Sequence, residues 1–235
     1  MQVTPLGDSS LIVTVGETID EATLGRVQAA WQALQAANLP GVTELVPAYT
    51  TVTVFYDPAA VVSAGAPAAG IPEWLIERVE LAAAKPSPAG KARAGRAHEI
   101  PVCYDRAFAP DLAEVAERAG LTVKEVIALH LAPEYLVYLV GFAPGFPYMG
   151  GLPERLALPR REAPRKRVAP GSVGITGAQC GIYPIETPAG WNLIGRTPVR
   201  LFRPEQEPPV LLQAGDRVRF KRITGAEFEH WKEEK

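Results

Sequence analysis

SVGITGAQCGIYPIETPAGWNLI, residues 172–194, is a run of short apolar segments separated by glycine and proline. It predicts three strands, 172–176, 182–186 and 192–194, because β-branched and aromatic residues bounded by turn residues are typical of strands. The same pattern continues on both sides and predicts three further strands, Tyr135–Val140, Val199–Phe202 and Asp216–Ile223. Many short strands with such turns are typical of a closed or nearly closed β-barrel.

Upstream of these strands, the pattern changes from strands alone to strands mixed with helices. A strand at Glu99–Tyr104 is followed by two helices, the first ending at Gly120. The second begins with a capping box at Thr122–Glu125 and stops before Pro133. The stretch 87–97 is rich in glycine, alanine and basic residues without apolar periodicity, which predicts a linker.

The N-terminal part predicts a small domain of its own, over residues 1–86. Its pattern reads strand, helix, strand, strand, helix, with the elements at Leu11–Val15, Asp20–Asn38, Val42–Val46, Thr51–Tyr56 and Ile71–Ala82. This order fits one helical layer on a small sheet. We therefore expect an α+β protein, in which a small α/β domain precedes a barrel domain at 98–235.

The composition limits the classes of function that the protein can have. The chain has 235 residues, 47% hydrophobic and 21% charged, which is ordinary for a globular protein. A net charge of −2 argues against a nucleic-acid partner. We recognise no secretory signal and no apolar run long enough to span a membrane. Two cysteines and three scattered histidines favour a cytoplasmic protein without a disulfide framework or a metal site.

The loop Gly141–Gly151, GFAPGFPYMGG, is the densest signal for a binding site. Glycines such as Gly141 and Gly145 let a backbone approach a ligand, and prolines restrict the loop. Phe142, Phe146 and Tyr148 would supply the contact surface. The alternative is a structural turn whose aromatic rings belong to the core.

The second candidate segment is Arg160–Arg167, which has five cations against one carboxylate. Guanidinium groups bind carboxylates and phosphates in a bidentate way, so Arg165 and Arg167 are predicted to hold an anionic substrate or nucleotide. A solvated basic loop is the alternative interpretation.

The third candidate segment, Gly171–Gly181, contains glycines whose backbone N–H groups could cradle an anion, namely Gly171, Gly174 and Gly177. It lacks the ending of a P-loop, so ATP would not be bound here in that way. Gln179 could both donate to and accept from an amide, and Tyr183 follows closely. Cys180 has no histidine beside it in sequence and is interpreted as a packing residue.

His130 occupies the apolar face of its predicted helix, which favours a core histidine with a satisfied hydrogen bond. It also stands at the helix end, just before the glycine-rich loop. We therefore predict that His130 lies in a functional cleft and acts as a general acid or base.

Taken together, three segments resemble the KipI/PxpB family, also called allophanate hydrolase subunit 1 or the carboxyltransferase subdomain C/D family. They are HLAPEYLVYLVGFAPGFPYMGGL, PRREAPRKRVAPGSVGITGAQCGIYPIETPAGWNLIGRTPVRLF and the closing AGDRVRF. With the similar opening GDSSLIV, the resemblance covers essentially the whole chain. One departure is Cys180, where many relatives are expected to have threonine, so a role for a hydroxyl group at that position is in doubt.

The resemblance implies a cyclophilin-like barrel behind the small N-terminal domain. It also implies partners, a KipA/PxpC-type subunit and a PxpA-type subunit, with which the family converts 5-oxoproline, ATP and water to glutamate, ADP and phosphate. ATP with Mg²⁺ is then expected in the assembled complex, with the subunit that holds it left open.

Other functions stay open for this family. One member inhibits a sensor histidine kinase, which would make the chain a protein-binding module. A related pair of domains in urea carboxylase transfers a carboxyl group, so an allophanate hydrolase or urea carboxylase role is a second alternative. Prolyl isomerase activity would follow from the barrel alone, but a fold does not carry a function.

Overall fold

A computed structural model describes residues 1–85 and 95–231, and the chain divides into two compact units, Met1–Ala94 and Gly95–Lys235. Of the predicted linker at 87–97, residues 87–94 lie outside the described residues. Its last residue, Ala97, already begins a strand of the second unit.

In the first unit, residues 1–85 form an antiparallel sheet of four strands in the order β1-β2-β4-β3, with three helices. Its elements are β1 (Gln2–Pro5), β2 (Ser10–Thr14), α1 (Glu21–Ala37), β3 (Val42–Pro47), β4 (Thr51–Tyr56), α2 (Pro58–Ser63) and α3 (Ile71–Ala83). The predicted elements are confirmed, and β1 and α2 are additions.

Local sequence explains these boundaries. The Asp20 side chain accepts a hydrogen bond from the Thr23 N–H at 2.7 Å and caps α1, which ends at Asn38 in the left-handed conformation. In β4 the residues Val52, Val54 and Tyr56 are buried on the face that carries the core. The alternating apolar residues that predicted this strand are therefore the residues that are buried.

Between residues 95 and 231, the second unit contains the barrel, three α-helices and a 3-10 helix. Its elements are β5 (Ala97–Cys103), α4 (Leu112–Ala119), α5 (Val123–Leu131), β6 (Tyr135–Val140), β7 (Pro147–Gly150), a 3-10 helix (Glu154–Leu156), β8 (Arg165–Val168), β9 (Ser172–Thr176), β10 (Gln179–Ile182), β11 (Thr187–Ala189), β12 (Asn192–Arg196), β13 (Arg217–Ile223) and α6 (Gly225–Glu229).

The barrel closes in the order β10-β7-β6-β13-β5-β12-β9, with β9 pairing back to β10. Its pairs are antiparallel except β5 with β13, which is parallel. Strands β8 and β11 form a separate two-stranded sheet. The predicted barrel and the α+β class are confirmed.

Both helix boundaries predicted before the barrel are confirmed. Gly120 follows α4 with a positive φ of 64°, and its N–H bonds back to the helix. The Thr122 side chain and Glu125 form the reciprocal capping box of α5.

Two strand predictions are wrong in part. The segment predicted at 182–186 is a strand only up to Ile182, because Pro184 has no N–H for a ladder. The segment Val199–Phe202 has only an isolated bridge from Phe202 to Val210. It lies between two prolines, Pro198 and Pro204, which again remove donors.

Candidate functional site

An open cleft of about 200 Å³ in the second unit brings together four of the predicted site residues. Phe142, Phe146, Tyr148 and Tyr183 line it. The rest of the lining is Arg160, Pro164, Pro188, Ala189, Gly190 and Trp191. We call this cavity the aromatic cleft.

Phe146 is the centre of the cleft's aromatic packing and is itself buried. Its ring centroid lies 4.8 Å from that of Tyr148, 5.0 Å from Tyr183 and 5.5 Å from Trp191, in edge-to-face arrangements. Such contacts fix ring orientations. Gly181 leaves room for them, because a Cβ at that position would meet the Phe146 ring at 2.6 Å.

Phe142 forms the rim of the cleft and is 64% exposed. Its φ of 69° is unusual for a residue with a side chain. The Ala143 N–H donates to the Gly141 carbonyl at 2.8 Å, which closes a three-residue turn around Phe142. The turn directs a large apolar ring into solvent at the mouth of the cavity.

The polar groups of the cleft include two phenols and one guanidinium. Burial raises the pKa of Tyr148 and of Tyr183, and the positive charge of Arg160 opposes both increases. Both phenols are therefore protonated at neutral pH and can donate hydrogen bonds. Arg160 is exposed and makes no ion pair with any residue in the described ranges.

Asp111 anchors the basic segment that carries Arg160. Its carboxylate is 2% exposed and accepts hydrogen bonds from the guanidinium groups of Arg161 and Arg165, and from the Leu193 N–H at 2.7 Å. A buried carboxylate with charged donors is held strongly. Two of the arginines thus hold the segment on the barrel, and their neighbour Arg160 faces the aromatic cleft.

This chain is similar to proteins of a known family. Residues 1–212 match the model of the family described as carboxyltransferase domain, subdomain C and D. The chain belongs to this carboxyltransferase family. It is 45% identical over 234 residues to the B-type subunit of 5-oxoprolinase from Bacillus subtilis, covering 99% of this chain and 97% of that protein.

Two solved structures have folds similar to that of this chain. The crystal structure of TTHA0988 superposes with a TM-score of 0.75 at 39% identity, covering 92% of this chain but only 40% of that longer chain. Urea amidolyase of K. lactis superposes with a TM-score of 0.76 at 19% identity, covering 97% of this chain and 15% of that one. This second likeness concerns the fold alone.

Arg165 and Arg167 do not line the aromatic cleft. Arg165 is bound to Asp111, and Arg167 is 79% exposed and pairs with Glu186 at 2.7 Å. Gln179 belongs to β10, where it pairs with Thr176. Contact of these three residues with substrate stays a prediction, which the carboxylate partners of Arg165 and Arg167 do not support.

His130 lies in the barrel core and not in a cleft. Its side chain is 0% exposed, its Nδ1 lies 2.8 Å from the Tyr104 hydroxyl, and its Nε2 lies 3.4 Å from Cys180 Sγ. The ring stacks on Phe220 with centroids 4.6 Å apart. Burial lowers the pKa of His130 to about 3. Catalysis by His130 stays a prediction that this position does not support.

The glycines of the candidate loops serve close packing and turns. Gly145, Gly171 and Gly177 have positive φ values of 83°, 83° and 48°. At Gly171 a Cβ would lie 2.1 Å from the Thr197 carbonyl oxygen, and at Gly174 it would lie 3.1 Å from the Trp191 side chain. An anion cradle formed by these residues stays a prediction.

The sequence analysis missed Arg160 and Trp191 as cleft residues. Arg160 was visible as the first cation of the basic run, and Trp191 as an aromatic residue between Gly190 and a strand. Within the described ranges, no group of three or more histidine, cysteine or acidic side chains could hold a metal. None of the helices in those ranges is long and apolar enough to cross a membrane.

Proposed function

We propose that this chain is the B-type subunit of an ATP-dependent 5-oxoprolinase and that its aromatic cleft receives 5-oxoproline. The observation that carries the proposal is the 45% identity, over nearly the whole chain, to a 5-oxoprolinase subunit of that type. The proposal includes KipA/PxpC-type and PxpA-type partner subunits, since a subunit acts within an assembly. It also includes a cytoplasmic location.

The size of the cleft supports a small substrate. Its volume of about 200 Å³ is below the ~300–1,000 Å³ typical of drug-sized ligand sites. The edge-to-face rings on one side and Pro188, Ala189 and Gly190 on the β11 side leave only a narrow space for a ligand. A five-membered lactam ring fits such a space better than a nucleotide does.

The polar groups of the cleft match the substituents of 5-oxoproline. Arg160 can bind the ring carboxylate, for which a guanidinium offers paired donors. Tyr148 keeps its proton because burial raises its pKa, so its hydroxyl can donate to the lactam oxygen. Charge that develops on that oxygen would be stabilised by the same hydrogen bond and by the nearby Arg160.

A lactam is a resonance-stabilised amide, and ATP with Mg²⁺ supplies the activation needed before water can open the ring. Within the cleft, this chain's own residues hold the substrate ring against the aromatic lining, whose orientation the contacts of Phe146 fix, and exclude bulk water with Phe142. The proposal assigns ATP to the assembled complex and leaves open which subunit holds it.

The test of this function uses the complete chain with its two partner subunits. We expect glutamate formation and ATP turnover that depend on 5-oxoproline and on all three proteins. Arg160→Ala should raise the KM for 5-oxoproline about 10- to 100-fold, because a hydrogen bond to a charged group is worth about 1.5–3 kcal/mol.

Arg167→Ala is the matched control, since it removes an exposed guanidinium of the same segment that is paired with Glu186. It should change the KM less than about twofold. Efficient 5-oxoproline hydrolysis by this chain alone would overturn the subunit assignment. An unchanged KM in Arg160→Ala would show that the substrate does not bind in the aromatic cleft.

A further inference from the structure

The barrel wall has a gap between β5 and β12. These two strands share a single pair, Arg196 with Cys103. If their antiparallel register continued, the next pair in the same hydrogen-bonding position would join Pro198 to Pro101. Neither residue has an N–H, so the ladder stops there and β5 runs on without a neighbour on that side.

The backbone groups that face this gap can be assigned from the other side of β5. The Arg217 N–H donates to the Arg96 carbonyl at 2.8 Å, and in a parallel ladder the residues facing one neighbour alternate. The even-numbered residues of β5 therefore face β13. The N–H and C=O groups of Ala97 and Glu99 point into the gap.

These four groups are open to pairing. Ala97 and Glu99 are exposed, and their backbone groups have no hydrogen-bond partner on this side in the part of the chain that the structure describes. A groove of about 840 Å³ runs along them. Its other wall includes the apolar side chains of Val199 and Leu211.

The charges of the groove are balanced. Among the residues that line the groove, Lys221 forms an ion pair with Glu99 at 3.1 Å. Arg203 adds one positive charge and Glu227 adds one negative charge. The groove therefore offers no net attraction to a strongly charged partner. Its complement is an extended backbone with uncharged side chains toward Val199 and Leu211.

We propose that the β5 edge binds an extended segment of a partner subunit, which adds a strand at Ala97 and Glu99. Unpaired strand edges are natural templates for such addition. A second copy of the same chain is disfavoured, because it would bring its own Pro101, which has no N–H, and its own Glu99–Lys221 pair to the same edge. The inference rests on the proposed function, because it names a contact of that assembly.

Amide hydrogen exchange with single-residue resolution tests this contact. The complete chain is measured alone and after assembly with its partner subunits. We expect the Ala97 and Glu99 amides to exchange at least about tenfold more slowly in the assembly. Unchanged exchange at both amides, in an assembly that co-elutes and turns over 5-oxoproline, would overturn the inference and leave the proposed function intact.

Two other occupants would be recognised in the same experiment, and either would contradict the inference. Protection that is already present in the dilute isolated chain means that the chain itself covers the edge. Protection that grows with the concentration of the isolated chain means that a second copy binds there. Failure to assemble or to turn over 5-oxoproline would instead count against the proposed function.

Glu99→Pro provides an independent test by removing one edge N–H without touching the β13 ladder. Glu99→Ala is its matched control, because both variants lose the Lys221 ion pair and only one loses the N–H. We expect Glu99→Pro to weaken assembly about tenfold or more and Glu99→Ala to stay within about twofold. Equal affinities for the two variants would contradict the inference.

Discussion

Two clusters of aromatic rings with polar groups in the second unit, the aromatic cleft and the surroundings of His130, differ in their access to solvent. In the aromatic cleft, Phe142 and Arg160 are exposed and the cavity opens to solvent. Around His130, the rings of Tyr104, Tyr135 and Phe220 close completely over the imidazole. Both clusters contain groups that could perform proton transfer.

The difference shows that residue type does not distinguish a binding site from a core. A histidine, a tyrosine and a cysteine in hydrogen-bonding contact form a neutral chain when no solvent reaches them. Burial lowers the pKa of His130 and raises the pKa of Tyr104 and Cys180, so all three keep their uncharged forms. Aromatic rings beside an exposed guanidinium have the access and the charge that a substrate needs.

The largest expected effect distinguishes a structural role of His130 in the core from a catalytic one. His130→Ala removes a stacked ring and leaves the Tyr104 hydroxyl without its partner, so the free energy of unfolding should fall by about 3–5 kcal/mol. Urea denaturation measures this. His230→Ala is the matched control, because His230 is exposed and should change stability by less than about 0.5 kcal/mol.

A His130→Ala protein with normal stability and lost turnover would contradict the conclusion that His130 is a core residue. It would return His130 to the reaction despite its burial. With the expected loss of stability, turnover per assembled complex should be retained at a temperature where the variant is folded.

The second effect concerns packing beneath the cleft. Gly181→Ala places a methyl group 2.6 Å from the Phe146 ring, and such overpacking costs about 1–3 kcal/mol. Because Phe146 contacts most of the cleft's rings, the KM for 5-oxoproline should rise as well. Thermal unfolding and steady-state kinetics of the assembled enzyme measure the two changes.

Gly190→Ala is the control for this substitution. Its Cβ would meet Pro164 at 3.8 Å, an ordinary contact, so stability should change little. Because Gly190 lines the cleft, this control concerns stability alone: if both alanine variants are equally stable, the space beneath Phe146 is not tightly packed.

Local signals in the sequence were sufficient for much of the fold. The Asp20 cap, the Thr122–Glu125 capping box and the alternation in Thr51–Tyr56 each depend on neighbouring residues, and each is found in the structure. The strand predicted at Val199–Phe202 failed because a ladder also needs a partner with free N–H groups. Pro198 removes one such group next to β5.

The site was only partly predictable for a related reason. Three aromatic residues of the cleft come from the loop Gly141–Gly151, and Tyr183 follows the segment Gly171–Gly181; both segments were recognised by composition. Which arginine faces them depends on Asp111, which is about 50 residues away in sequence and binds Arg161 and Arg165. Spacing within the basic run cannot show that two of its members are already bound to a buried carboxylate.

The third effect is a pH dependence of stability that comes from His130. Its pKa is about 3 in the folded chain, against about 6.5 for an ordinary histidine, so the unfolded state takes up the proton first. The stabilisation is present above pH 6.5 and is lost as the pH falls from about 6.5 toward 3. Tyr104, Tyr135 and Cys180 face the ring and stay neutral in this range, because burial raises their pKa values.

The measurement compares the wild type with His130→Gln, which keeps a hydrogen-bonding end but does not titrate. Between pH 6.5 and 5.5, the free energy of unfolding of the wild type should fall by about 1 kcal/mol more than that of the variant. Equal slopes would mean that the imidazole can take up a proton in the folded chain, as a solvent-accessible group does.

The smallest effect on stability is expected at the rim of the cleft, at Phe142. Phe142→Ala keeps the unfavourable positive φ of 69°, whereas Phe142→Gly relieves it. Relief of about 1–2 kcal/mol opposes the usual ~0.5–1 kcal/mol cost of glycine relative to alanine, so the glycine variant should be slightly more stable than the alanine variant. Thermal unfolding of the two variants measures this difference.

The same pair of variants tests whether the Phe142 ring covers bound 5-oxoproline. Both variants lack the ring, so both should raise the KM to the same extent even though their stabilities differ. A glycine variant that is less stable than the alanine variant would show that the turn is not strained, and wild-type KM values in both would leave the exposed ring without a role in binding. Equal loss of binding with unequal stability would show that a strained turn holds the ring over the substrate.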